Sequence, residues 1–143
     1  MSITDKDRAL LALLGDNARM PVAELARQLG LSRTTVQARI ERLEADGIIA
    51  GYGLRLSERY RAGLVRAHVL ITIGPKALAG VTAALSAIKE VTTLHSVSGN
   101  FDLIAILAAP SIADLDHLID RIGALDGVER TLSSVILSTR ISR

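Results

Sequence analysis

The 143-residue sequence predicts an α+β chain in two parts: a helical N-terminal part and a C-terminal part ordered β-α-β-β-α-β. Two observations carry this. Apolar residues recur at helical spacing as far as Leu43, whereas from Leu64 onward runs with strict alternation interrupt the helical ones. Between them, SERYRAG (residues 57–63) is polar, ends in glycine and is expected to be a linker. The expected boundaries are therefore 1–56, 57–63 and 64–143.

Composition narrows the class. An apolar fraction of 49% and a mean hydropathy of +0.34 suffice for true cores and exclude a disordered tail. No stretch approaches the roughly 18 uninterrupted apolar residues of a membrane helix. MSITDKDRALLALL carries acids where a secretory leader needs a basic start, so a cytoplasmic protein is expected. The sequence has no cysteine, so disulfides and thiolate metal sites are ruled out.

In the first part, Thr4 or Asp5 is placed to cap a helix whose apolar stripe is Leu10, Leu11 and Leu14, and Gly15 with Asp16-Asn17 stops it. Pro21 suits the start of a second helix, with Val22, Leu25, Ala26 and Leu29 on its inner side. Gly30 supplies a residue able to take positive φ, and Ser32 is poised to cap a third helix with Val36, Ile40 and Leu43 inward. Two helices joined by a tight glycine turn, the second basic and rich in hydroxyl and amide groups, describe a helix-turn-helix whose second helix enters a DNA major groove. GIIAGY reads as a strand, with a small wing expected, and Leu54 and Leu56 as packing back on the helices. Tyr60 in the linker is expected to be half-buried.

The predicted partner is double-stranded DNA. Ser32 and the free N–H groups beside it suit a phosphate. Arg33, Thr34, Thr35 and Gln37 are the candidates for base edges, since arginine forks onto guanine and glutamine onto adenine. Arg39 and Arg42 lie further along and suit phosphates, with an Arg42–Asp46 helix pair as the alternative. Charge distribution agrees. Residues 1–63 hold ten Lys/Arg against eight Asp/Glu, and residues 64–143 hold seven of each, so the net +2 belongs to the first part. Within Arg27–Arg42 four arginines face one glutamate.

In the second part VRAHVLITI alternates, with Ala67, Val69, Ile71 and Ile73 on one face. A helix follows Gly74-Pro75, with Leu78, Val81, Leu85 and Ile88 inward. VTTLHSVS and DLIAILAA are strands joined by Gly99-Asn100-Phe101. A helix after Pro110-Ser111 is expected to bury Ile112, Leu115, Ile119 and Ile122, and GVERTLSSVILSTRIS reads as a long last strand. This order is the ferredoxin-like plan, an antiparallel sheet with helices on one face. The other face also carries Val, Ile and Leu, so a second copy is expected to cover it.

The stretch SRTTVQARIERLEADGIIAGY resembles the Lrp/AsnC (leucine-responsive and asparagine regulator) transcription factors. Ser32, Val36, Arg39, Ile40, Leu43, Glu44, Gly47, Ile48, Ile49 and Tyr52 match the family pattern. SVSGNFDL and GVERTLSSVIL resemble two further family stretches, so the resemblance runs from about Thr4 to about Ser142. It implies a sequence-specific transcriptional regulator: a helix-turn-helix (winged) domain joined to a ferredoxin-like domain that pairs sheet to sheet in a homodimer. Such dimers assemble further into octamers, with a small effector, usually an amino acid, bound between them.

Ser98, Gly99, Asn100, Phe101 and Asp102 form the candidate effector loop, whose N–H groups suit an α-carboxylate and whose aspartate suits an α-ammonium. Thr131 and Ser133 are candidates to add hydroxyls. The competing reading is an ordinary Gly-Asn hairpin turn. Phe101 stands where the family often has tyrosine, which removes one hydroxyl. No cofactor, metal site or catalytic residue is expected. His68, His95 and His117 fall on separate elements, and Asp114, Asp116 and Asp120 crowd a helix start that welcomes negative charge. Two alternatives remain: a ligand-independent architectural DNA-binding protein, and an enzyme like the siroheme decarboxylases, which share a similar two-domain plan and would use His95 or His117 with Arg130.

Overall fold

A computed structural model describes residues 2–143. The chain divides into two compact units, Met1–Arg55 and Leu56–Arg143.

The first unit holds α1 (Asp5–Asp16), α2 (Val22–Leu29) and α3 (Arg33–Ala45). Thr4 caps α1 in a reciprocal capping box: its hydroxyl accepts from Asp7 N–H while the Asp7 carboxylate accepts from Thr4 N–H. Leu10, Leu25, Leu29, Val36, Ile40 and Leu43 form the core, with Leu11 and Leu14 half-buried against it. The expected strand is not formed. Residues 48–57 carry no strand among the described residues, Leu54 is 86% exposed and Leu56 is also exposed. Alternation signals a strand only where a partner strand lies alongside, and no strand among the described residues pairs with this stretch.

The second unit opens with a single helical turn, α4 (Glu58–Arg61), capped by the Ser57 hydroxyl. The expected linker is thus partly helical, and Tyr60 is exposed rather than half-buried. β1 (Val65–Ile73), α5 (Leu78–Ser86), β2 (Val91–Ser96), β3 (Leu103–Ala109), α6 (Ile112–Gly123) and β4 (Val128–Ile136) follow. The sheet order is β2-β3-β1-β4 with every pair antiparallel. The β4 strand stops at Ile136, short of the expected run.

Ala67, Val69 and Ile71 of β1 and Leu103, Ala105 and Leu107 of β3 pack under Val81, Leu85, Leu115, Leu118 and Ile122 of the helices. Two helix positions differ from expectation. Leu78 and Ile112 are exposed because each opens its helix at the rim of the sheet, and Leu118 rather than Ile112 joins the buried stripe. Gly127, at φ 92°, lets the turn before β4 approach α5; a Cβ there would lie 2.7 Å from the Ala77 Cβ. On the open face Leu70 lies between Ile104 and Leu132, and His68 beside Ile106. Leu132 is 56% exposed, so this face presents apolar side chains to solvent.

Candidate nucleic-acid interface

The turn into α3 is built by two residues. Gly30 adopts φ 65° and ψ 36°, and its N–H closes on the Ala26 carbonyl. Ser32, in extended backbone, accepts from Thr35 N–H at 3.1 Å, and its hydroxyl meets the Thr35 hydroxyl at 2.8 Å. Val36, Ile40 and Leu43 turn inward, which rolls Arg33, Thr34, Gln37, Ala38 and Glu41 outward. Gln37 donates to Glu41 at 3.1 Å across one helical turn. Arg33 and Thr34 are exposed at the helix start. Thr35 is less free than expected, because its hydroxyl is tied to the cap.

Arg39 and Arg42 end on the first helix. Arg39 Nη1 donates to Asp7 Oδ1 at 2.8 Å and to Thr4 Oγ1 at 3.1 Å, and Arg42 Nη2 donates to Asp7 Oδ2 at 2.7 Å. Arg42 therefore pairs with Asp7, not with Asp46. Asp7 is fully buried, and its carboxyl is held well below the usual carboxylate range by the Thr4 backbone N–H first, then by Arg42 and Arg39. Sequence reasoning missed Asp7 and Thr4 as members of this surface. The contact bridges 32 and 35 residues, and its only local trace is the capping-box spacing. An open depression of about 530 Å³ lies beside these arginines, lined by Thr4, Thr34, Thr35, Ala38, Arg39 and Arg42.

In the second unit the candidate effector loop is a tight turn, with Gly99 at φ 106° and Val97 N–H donating to the Asp102 carbonyl at 3.0 Å. The Asp102 carboxylate accepts from Ile73 N–H at 2.9 Å and so pins the loop to the end of β1. Phe101 lies under the Arg130 guanidinium, 5.1 Å from its ring centroid. Thr131 and Ser133 stand opposite Ile71 and Val69, hence on the helix-covered face, whereas Arg130 stands opposite Thr72 on the other. Asp102 instead lines an open depression of about 680 Å³ with Ser96, Val97, Gly74, Lys76 and Glu129. The sequence reading did not single out Lys76 or Glu129. Lys76 is a non-glycine residue at φ 63°, a trace that sequence alone does not carry. His117 lines a separate depression with Glu90, Asp114 and Arg121, whereas Arg130 packs on Phe101, so these two of the residues suggested for an enzymatic cleft are not brought together.

The trihelical reading surface and the four-stranded sheet domain define a helix-turn-helix regulator with a ligand-binding type of second domain. Residues 3–44 match the AsnC-type helix-turn-helix domain, and residues 66–143 match the Lrp/AsnC ligand binding domain. The chain is 34% identical to the HTH-type transcriptional regulator LrpA of Mycobacterium tuberculosis, over 96% of this chain and 92% of that protein. It is 31% identical to the regulatory protein AsnC of Escherichia coli, over 99% and 94%. The solved structure of E. coli AsnC superposes with a TM-score of 0.88 at 30% identity, covering 100% of this chain and 97% of that one. A feast or famine regulatory protein from M. tuberculosis, solved in complex with L-methionine, superposes at 0.86 with 34% identity, covering 99% and 96%. The chain belongs to the Lrp/AsnC family of transcriptional regulators.

Proposed function

We propose that this regulator binds duplex DNA in the cytoplasm through α3, pairs with a second copy across the open sheet face, and responds to an amino acid. The observation that carries the DNA step is the reading helix itself. A serine cap and a buried Val36-Ile40-Leu43 seam position it, while Arg33, Thr34 and Gln37 stay exposed. The working boundaries are 1–56 for DNA binding, 57–63 as the connection and 64–143 for assembly and effector binding. Dimers would assemble further, towards an octamer, and place two reading helices in successive major grooves.

The effector step is supported by the methionine complex of the related M. tuberculosis protein and by the Ser98–Asp102 turn. Lys76 beside Asp102 and Glu129 offers both signs of charge to a zwitterion. The effector acts only if it binds two arrangements of the assembly unequally. The names of the relatives point to regulation rather than catalysis.

Fluorescence anisotropy with the promoter upstream of the protein's own gene, against scrambled duplex at equal salt, tests the reading. Tighter binding to the promoter, shifted by a pool of common amino acids, is the expected result. Equal binding to both duplexes, strongly salt-dependent and indifferent to the pool, would replace the sensor with an architectural role.

A further inference from the structure

We propose that the depression between α1 and α3 is a seat for one DNA phosphate, and that Asp7 is the positioning residue that builds it. The proposal rests on the DNA-binding reading above and adds residues of the first helix to it.

Three observations converge. First, Asp7 fixes two guanidiniums side by side, one on each carboxylate oxygen, so neither arginine is free to sweep the surface. Second, each arginine keeps donors in reserve. Among the described residues Arg39 commits only Nη1 and Arg42 only Nη2. Third, the two arginines against one carboxylate leave one unit of positive charge facing the depression, and one phosphate diester carries one negative charge.

The lining fits a sugar-phosphate unit. Thr34 contributes a methyl and a hydroxyl, Thr4 and Thr35 line the depression with hydroxyls engaged by Arg39 and Ser32, and Ala38 leaves space that a longer side chain would fill. Planar forks suit phosphate oxygens geometrically as well as by charge. The depression runs along one edge of the reading helix, beside Thr34. A strand seated there would fix the depth and rotation at which Arg33 and Gln37 meet the bases. Asp7 would thus set DNA affinity, independent of sequence, without touching DNA.

The test uses the full chain, anisotropy with both promoter and scrambled duplex, and a salt series. Asp7→Asn is expected to weaken binding to both duplexes and flatten the salt slope by about one. At about 0.1 M salt, one such contact corresponds to roughly an eightfold loss. In an Arg42→Gln background, Asp7→Asn should add much less than it does alone, because it acts through that arginine. Full additivity would assign Asp7 to stability alone. Unchanged or tighter binding by a folded Asp7→Asn, with an equal or steeper salt slope, would overturn the seat and leave Asp7 as a neutralising charge.

If Asp7→Asn melts below the working temperature, Thr4→Val removes the hydroxyl that accepts from Arg39 Nη1 at 3.1 Å and leaves the carboxylate in place. The same uniform weakening is then expected, and unchanged affinity would refute the seat. Loss of binding by the unsubstituted protein would instead defeat the DNA reading itself, so the two failures are distinct.

Discussion

Leu10→Ala should unfold the DNA-binding unit selectively. Leu10 is fully buried, and Leu25, Leu29, Val36, Ile40 and Leu43 share its cluster. Truncating such a leucine costs about 2–5 kcal/mol, the upper values where the cavity cannot collapse. A single core of this size rarely supplies more than about 3–5 kcal/mol in total. The substitution therefore removes most of the stability of Met1–Arg55 and leaves the sheet domain untouched. At roughly 4–8 °C per kcal/mol, a loss of about 3 kcal/mol lowers its midpoint by at least ~12 °C.

Thermal circular dichroism reads this directly, because α1, α2 and α3 hold more than half of the helical residues. The expected trace has an early loss of helix signal, loss of DNA binding over the same temperatures, and a later transition at the unsubstituted midpoint. A single transition in which helix and sheet signals disappear together would refute independent cores. A midpoint unmoved by the substitution would refute the packing argument.

Other outcomes follow from the same geometry. The Asp7 carboxyl is depressed in the folded state, so its stabilising contribution is complete above its ordinary value of 3.8 and fades as pH falls below it. Urea midpoints of the N-terminal unit should thus fall below about pH 4, less steeply in Asp7→Asn; parallel curves would contradict this. Gly127→Ala combines φ 92° with the 2.7 Å approach to Ala77 and should cost about 2–4 kcal/mol in denaturant titrations. Gly30→Ala has φ 65° and open space, so only a backbone cost of about 1–2 kcal/mol is expected, and equal losses at the two sites would undo the distinction. Leu132→Asp puts a charge on the open sheet face and should yield monomers by sedimentation velocity with the fold retained; persistent dimers would move the interface elsewhere.

Local signals carried most of this architecture. The Thr4 and Ser32 caps, the Gly30 turn and the two apolar periods each act within a few residues, and each element begins or ends near where its signal lies. What sequence obscured is tertiary. Leu54 and Leu56 alternate like a strand but pair with no strand among the described residues. Ile112 and Leu118 lie six residues apart on one helix, and only its seating on the sheet decides which is buried. The candidate site divides the same way. The exposed face of α3 follows from its buried seam, whereas the Asp7–Arg39–Arg42 link depends on how α1 crosses α3. Thr131 and Ser133 were separated from the effector turn by strand register, which no residue type announces.

The central claim is that α3 reads DNA sequence. The most direct measurement is anisotropy of the Arg33→Ala/Gln37→Ala double variant on its own promoter and on scrambled duplex. Both side chains are exposed, so the fold should be retained. The account predicts that preference for the promoter collapses, by about 1–3 kcal/mol per lost base contact, while binding to scrambled duplex falls far less. Undiminished preference in the folded variant would contradict it and place sequence recognition on another surface.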